Sequence, residues 1–77
     1  MTKIQQYGLS KSEWNQMIDE WIIGRNAERD RQIIRRRLLD GITFERLAEE
    51  FDLSTQRVQE IVYHTQEVLF QHTEKRQ

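Results

Sequence analysis

Four segments of this chain place apolar residues at helical intervals behind a polar N-cap residue, and this pattern restricts the possible secondary structure most. Ser10 with Glu13 fits a capping box, and the apolar residues after it recur at i, i+3, i+4, i+7 and i+8. Similar start signals occur at Asn26, Thr43 and Ser54. The chain has no proline and only three glycines, which favours helices over a turn-rich β fold.

Length and composition indicate one small all-α domain over residues 1–77. The absence of cysteine excludes a disulfide framework, and the short apolar runs exclude a membrane span and a signal peptide. We expect a cytoplasmic, compact four-helix domain with a long last helix. Gly24 is predicted to end the first helix, at its C′ position, and Asp40-Gly41 to end the second. The first eight residues and the last four or five are expected to fray. The predicted helices span residues 10–23, 27–39, 43–51 and 55–71.

The segment from Thr43 to Val62 has the spacing of a helix-turn-helix. Two helices that meet near a right angle need a small residue where their backbones approach, and Ala48 fills that position. Asp52 stands at the turn position that glycine usually occupies, and aspartate tolerates the left-handed conformation better than most residues. The alternative is an ordinary αα-hairpin. The residues predicted to close the shared core are apolar: Leu47, Phe51, Leu53, Val58 and Ile61.

If this motif binds DNA, the N-terminal end of its second helix enters the major groove. The residues of that helix predicted to face solvent are Thr55, Gln56, Arg57, Gln59, Glu60 and Tyr63. Gln56 and Gln59 can pair there with adenine edges. Arg57 can pair with guanine or a phosphate, and Glu60 with the amino group of cytosine. The positive helix terminus and the Ser54 hydroxyl suit a phosphate. The alternative is that these side chains form only the solvated face of an amphipathic helix.

The net charge of −1 conceals an uneven distribution. Residues 25–39 contain six arginines and two acidic residues, whereas residues 40–53 contain one arginine and five acidic residues. Arg35, Arg36 and Arg37 cannot form one patch, because successive helical residues diverge by about 100°. Either two or three of the arginines in this helix contact phosphates, or they pair with Glu28, Asp30 or the acidic third helix.

The other candidate sites favour structural roles. Trp14 and Trp21 form a stripe that is typical of a core. His64 and His72 lie about 12 Å apart along one helix, which is too far for a shared metal. No glycine-rich phosphate loop, nucleophile motif or paired metal-ligand motif is present, so we expect no enzyme, metal or cofactor.

Tyr63 and Phe70 lie seven residues apart and share a helical face. Together they can form an exposed aromatic patch for dimerisation. Alternatively Phe70 packs onto the first helix and closes the core of a monomer, which is the favoured hypothesis.

Three stretches, Asp30 to Leu38, Gly41 to Phe51 and Leu53 to Ile61, resemble region four of bacterial sigma-70-type sigma factors. The resemblance implies a domain that reads the upstream promoter element through the start of its last helix and docks on a flap of RNA polymerase. The family usually has basic residues where Thr55 and Gln59 stand. By position, the residues implied to face bases are Thr55, Gln56, Arg57, Gln59 and Glu60. Those implied to face phosphates are Arg46 and one or more of Arg35, Arg36 and Arg37.

These observations predict a bacterial or phage helix-turn-helix protein that binds specific double-stranded DNA on the nucleoid. It acts as a transcriptional regulator or a sigma-like accessory factor, because a chain of 77 residues is expected to be too short for the whole of initiation. RNA polymerase and a second copy of the chain are further expected partners. The alternative is a protein–protein module that binds RNA polymerase or a second copy of the chain without binding DNA. The near-neutral charge leaves this alternative open, because DNA-binding domains of this size are usually basic.

Overall fold

The computed structural model describes residues 8–76 of the chain, with side chains described for residues 8–73. Four helices follow one another: α1 over Lys11–Trp21, α2 over Ala27–Leu38, α3 over Phe44–Phe51 and α4 over Thr55–Arg76. The predicted all-α class with a helix-turn-helix and a long last helix is confirmed. None of the helices within the described range combines the length and hydropathy of a membrane span. The predicted fraying of the N terminus concerns residues that lie, except for Gly8, outside the described range.

Helix α1 begins as predicted and ends earlier. Ser10 and Glu13 form the capping box, in which each backbone N–H donates to the side chain of the other residue, at 3.0 and 3.2 Å. The helix ends at Trp21, and its C-cap is Ile22 in an extended conformation. Gly24 has a φ of 121°, but it lies beyond the C′ position predicted for it. The apolar periodicity through residue 23 therefore overestimated the length of this helix.

Helix α2 begins after Asn26, but the Asn26 side chain makes no capping hydrogen bond. Asn26 therefore occupies the predicted N-cap position, but its side chain does not form the predicted capping hydrogen bond. The helix ends at Leu38, and Gly41, with a φ of 69°, reverses the chain after it. The Ile42 N–H donates to the Arg36 carbonyl across this turn at 3.1 Å. This turn brings α3 back against the end of α2.

The turn between α3 and α4 is fixed at both helix termini. The Thr43 hydroxyl accepts the Arg46 N–H at 3.2 Å and caps α3. Asp52 takes the left-handed conformation, with φ 56° and ψ 47°. The Ser54 hydroxyl accepts the Arg57 N–H at 3.0 Å and caps α4. These caps and the left-handed turn residue agree with the prediction, whereas α4 continues to Arg76, past its predicted end at residue 71.

Helix α4 lies at the centre of the molecule and contacts α1, α2 and α3. Its first half packs on α3, where Ala48 is only 7% exposed. Farther along, the Phe70 ring meets the buried Trp14 ring edge to face, with centroids 5.9 Å apart. The fully buried hydrophobic side chains come from all four helices: Trp14, Met17, Ile18, Ile33, Ile34, Leu47, Val58, Val62 and Leu69.

The position of Phe70 decides between the two predictions for the aromatic residues of α4. Phe70 is buried, whereas Tyr63 is 58% exposed, so the two rings form no common surface patch. The predicted dimerisation patch is wrong, and the hypothesis that Phe70 closes the monomer core is confirmed. The tryptophan stripe is only half buried: Trp21 is 37% exposed and stacks on the His72 ring at 3.6 Å.

Candidate nucleic-acid interface

The first two turns of α4 present polar side chains on the side away from the core. Gln56, Arg57 and Glu60 are exposed, while Thr55 and Gln59 are half-buried. Val58 and Ile61, which alternate with them, are buried. The turn sets the direction of α4 relative to α3, since Leu53 N–H donates to the Ala48 carbonyl at 2.9 Å. The fold therefore exposes the start of α4 while anchoring its opposite face. All five predicted base-contacting residues lie on this segment.

An ion pair crosses this surface. Arg57 Nη1 lies 3.3 Å from Glu60 Oε2, and both side chains are about half exposed, at 51% and 55%. Exposed pairs at this spacing are weak, so the arginine can exchange its carboxylate partner for another acceptor. The start of α4 thus carries one positive and one negative group that partly neutralise each other.

The N-terminal end of α4 adds a feature that suits an anion. The first turn of a helix has backbone N–H groups without intrahelical partners, and the helix dipole makes this end positive. Ser54 already accepts one of these N–H groups through its hydroxyl, whose own hydrogen is available for donation. Ser54 is exposed, so a phosphate oxygen can reach it.

Arg36 of α2 lies close to Arg46 of α3. Both line a shallow depression with Glu49 and Glu50, and Arg36 Nη1 contacts Glu50 Oε1 at 2.7 Å. Arg46 is exposed and forms no ion pair with residues 8–73. The predicted pairing of an α2 arginine with the acidic third helix is confirmed at Arg36, and Arg46 keeps an available charge.

Arg37 lies where α2, α3 and α4 meet. Its Nη1 donates to the Ile42 carbonyl at 3.1 Å, and its guanidinium carbon lies 4.1 Å from the centre of the Phe44 ring. The Phe44 ring in turn meets the Tyr63 ring edge to face, with centroids 6.0 Å apart. Residue spacing on α4 pointed to Tyr63 as solvent-facing, but the stack of Arg37 on Phe44 is a long-range contact that no sequence pattern indicated.

Arg35 faces away from this surface. Its Nε donates to Asn15 Oδ1 at 2.8 Å, and its Nη2 forms an ion pair with Asp19. The neighbouring Arg31 donates to the carbonyls of Ile22 and Asp19 at the end of α1. These two arginines join α1 to α2, and the structure does not bring Arg35 together with the other predicted phosphate-contacting residues.

An acidic face borders the same surface. Glu45, Glu49 and Asp52 are exposed on α3 and in the turn after it. The part of the chain that the structure describes contains no group of three or more His, Cys, Asp or Glu side chains arranged for a metal ion. The residues around the start of α4 therefore offer hydrogen-bonding side chains and a mixture of charges.

A comparison with known protein families matches residues 27–65 to the model of sigma-70, region 4. The match spans half of the chain and includes α2, α3 and the first half of α4. No curated protein and no solved structure is similar enough to this chain to match it. The family match and the arrangement of α3 and α4 show that the chain belongs to the sigma-70 region 4 family, a family of helix-turn-helix domains that bind DNA in transcription.

Proposed function

We propose that this protein binds double-stranded DNA in a sequence-dependent way and acts as a regulator or sigma-like accessory factor in transcription. The observation that carries the proposal is the exposed polar start of α4 in a family-matched helix-turn-helix. In a helix-turn-helix the N-terminal end of the second helix, here α4, enters the major groove. The proposed base-contacting residues are Thr55, Gln56, Arg57, Gln59 and Glu60.

The side chains on this face have chemically distinct base preferences. The amides of Gln56 and Gln59 each offer a donor and an acceptor, which match the N6 and N7 edge of adenine. Arg57 matches the two acceptors of guanine once it leaves Glu60. Glu60 is then available to accept the amino group of cytosine. The Arg57–Glu60 ion pair therefore links the two proposed base contacts, because both side chains must leave this pair before they bind bases.

Phosphate contacts on either side would set the register of α4 in the groove. We propose Ser54 and Arg46 for this role because both are exposed. Arg36 and Arg37 are half-buried, and each already has an intramolecular partner, so their contribution is expected to be smaller. Arg35 is omitted, since its guanidinium is engaged with α1.

The charges around this surface predict modest affinity. Three full cationic contacts, from Arg36, Arg37 and Arg46, would give a slope of log K against log salt of about −2.7. The intramolecular partners of Arg36 and Arg37 make the expected slope shallower than this value. The acidic face formed by Glu45 and Glu49 opposes binding to a polyanion. We therefore expect binding that is detectable at low salt and weakens toward physiological salt.

The experiment is a salt titration of the full chain against fluorescently labelled duplexes. Selection from a random duplex pool supplies a preferred sequence, and a shuffled duplex of the same composition is the control. We expect tighter binding to the selected duplex at every salt concentration, with parallel slopes for both. Equal affinity for both duplexes would refute sequence dependence, and no binding to either at low salt would refute DNA binding.

A second candidate function is a protein–protein module, and the exposed acidic face is the observation that favours it. Glu45, Glu49 and Asp52 would bind a basic surface on a partner such as RNA polymerase. Binding of core polymerase to the wild type and to the Glu45→Gln/Glu49→Gln variant tests this candidate. This candidate would be favoured over DNA binding by two results together: the wild type binds polymerase more tightly than the variant does, and the wild type binds no duplex.

A further inference from the structure

Tyr63 is an exposed aromatic residue in a fixed position on the same face of α4 as the proposed reading residues. It follows Gln56 by seven residues, so it lies within about 20° of Gln56 around the helix and about 10 Å farther along the axis. Its side chain is 58% exposed, whereas the core-facing residues Ile61 and Val62 beside it are buried. Tyr63 therefore lies on the same face of α4 as Gln56, farther from the N-terminal end of the helix.

The ring of Tyr63 is supported by two other elements. Phe44, the first residue of α3, meets it edge to face at 6.0 Å. Arg37, from the last turn of α2, covers the Phe44 ring at 4.1 Å and is itself bonded to the Ile42 carbonyl at 3.1 Å. Aromatic pairs and cation–π contacts of this kind restrict side-chain rotation. Tyr63 is thus held while it remains exposed, which is what a preorganised contact requires.

We propose that Tyr63 is a further DNA contact and that its hydroxyl donates to a backbone phosphate at the edge of the major groove. The inference rests on the proposed DNA binding through α4. The major groove of B-DNA is about 12 Å wide and 8.5 Å deep. When Gln56 reaches the bases, a residue about 10 Å behind it on the same face reaches the groove edge, where the phosphates lie.

This assignment explains the use of tyrosine at a position where a charged residue would be the simpler choice for a phosphate. A phenol donates one hydrogen bond without adding charge, and its ring packs on Phe44. The contact is independent of sequence, so it positions α4 and does not specify a base. Arg37 then has two roles, because it supports Phe44 and supplies positive charge beside the same phosphate.

The test compares Tyr63→Phe with wild type in the salt titration against selected and shuffled duplexes. Tyr63→Phe keeps the ring and loses only the hydroxyl. We expect affinity for both duplexes to fall by the same factor, about three- to tenfold, with an unchanged salt slope. Gln71→Ala is the control, because Gln71 is exposed about 12 Å farther along α4 and should leave affinity unchanged.

Each other result overturns the inference in a distinguishable way. If Tyr63→Phe binds both duplexes like wild type while Gln56→Ala loses affinity for the selected duplex, Tyr63 is no contact and the proposed function stands. If Tyr63→Phe changes the preference between duplexes, Tyr63 contacts a base and the phosphate assignment is wrong. Loss of polymerase binding without loss of DNA binding would place Tyr63 in a protein interface. If wild type binds no duplex at low salt, the inference and the proposed function fail together.

Discussion

Asp52 determines the angle between α3 and α4 through an unusual backbone conformation. It is the one non-glycine residue with a positive φ, at 56°, in the described part of the chain. A left-handed conformation costs an ordinary L-residue about 1–2 kcal/mol, and aspartate less, because its short side chain bonds locally. The helix-turn-helix therefore retains its turn without glycine.

Because of this left-handed conformation, we expect glycine and valine at position 52 to have different effects on stability. Asp52→Gly should leave the free energy of unfolding within about 1 kcal/mol of wild type, because glycine adopts positive φ readily. Asp52→Val should lower it by about 1–2 kcal/mol, because a β-branched residue is strained there. Urea denaturation followed by circular dichroism measures both, and equal stability of the two variants would contradict the left-handed turn.

Arg46, on α3, is exposed and forms no ion pair with residues 8–73, so its charge is available for the proposed phosphate contact. Arg46→Gln should weaken binding to selected and shuffled duplexes alike and make the salt slope about one unit less steep. Arg25→Gln is the control. It removes the same charge from another exposed arginine, which lies just before the start of α2. An equal effect of both variants would mean that only net charge matters and that Arg46 makes no specific contact.

At the scale of elements, the contact between α3 and α4 depends on a small residue. Ala48 is 7% exposed, and its carbonyl accepts the Leu53 N–H of the turn. Adding three carbon atoms there forces the two helices apart, and overpacking of this kind costs about 1–3 kcal/mol.

We therefore expect Ala48→Leu to lower the free energy of unfolding by about 1–3 kcal/mol in a urea titration. Glu49→Leu introduces the same side chain at the next residue, which is exposed, and should change stability much less. Similar effects of the two substitutions would show that Ala48 does not pack against α4.

The elements also differ in how far the sequence predicts them. The starts of α1, α3 and α4 follow from Ser10, Thr43 and Ser54, because capping is a local interaction between residues three apart. The ends of α1 and α4 differ from the prediction, and for α1 the structure shows that the end depends on contacts with another element. Helix α1 ends where the carbonyls of Ile22 and Asp19 accept Arg31 of α2. No pattern within α1 carries that information.

For the whole molecule, α4 is long enough to serve two regions. Its first half completes the helix-turn-helix with α3, and its second half closes the core against α1 through Phe70 and Trp14. Helix spacing alone placed Phe70 beside Tyr63 on one face, and only the position of α1 shows which of the two becomes buried. The roles of the α2 arginines also depend on tertiary contacts. Composition shows that α2 is basic, but only the structure shows that Arg35 binds side chains of α1.

Because Phe70 is buried within one copy of the chain, Phe70→Ala should cost stability. We expect the free energy of unfolding to fall by about 3–5 kcal/mol, which for a small domain is a large part of the total. The loss should be the same across a wide range of protein concentrations in thermal melts. A concentration-dependent loss, or a wild-type dimer that Phe70→Ala converts into a folded monomer in sedimentation equilibrium, would contradict this placement.

The central claim is that the start of α4 reads DNA sequence, and the affinity ratio between selected and shuffled duplexes tests it most directly. Gln56→Ala and Arg57→Ala should each lower the corresponding difference in binding free energy by about 1–3 kcal/mol, because each removes a base contact and leaves the phosphate contacts in place. Circular dichroism melts confirm that both variants remain folded. An unchanged ratio in both folded variants would show that α4 does not read the bases and would contradict the account.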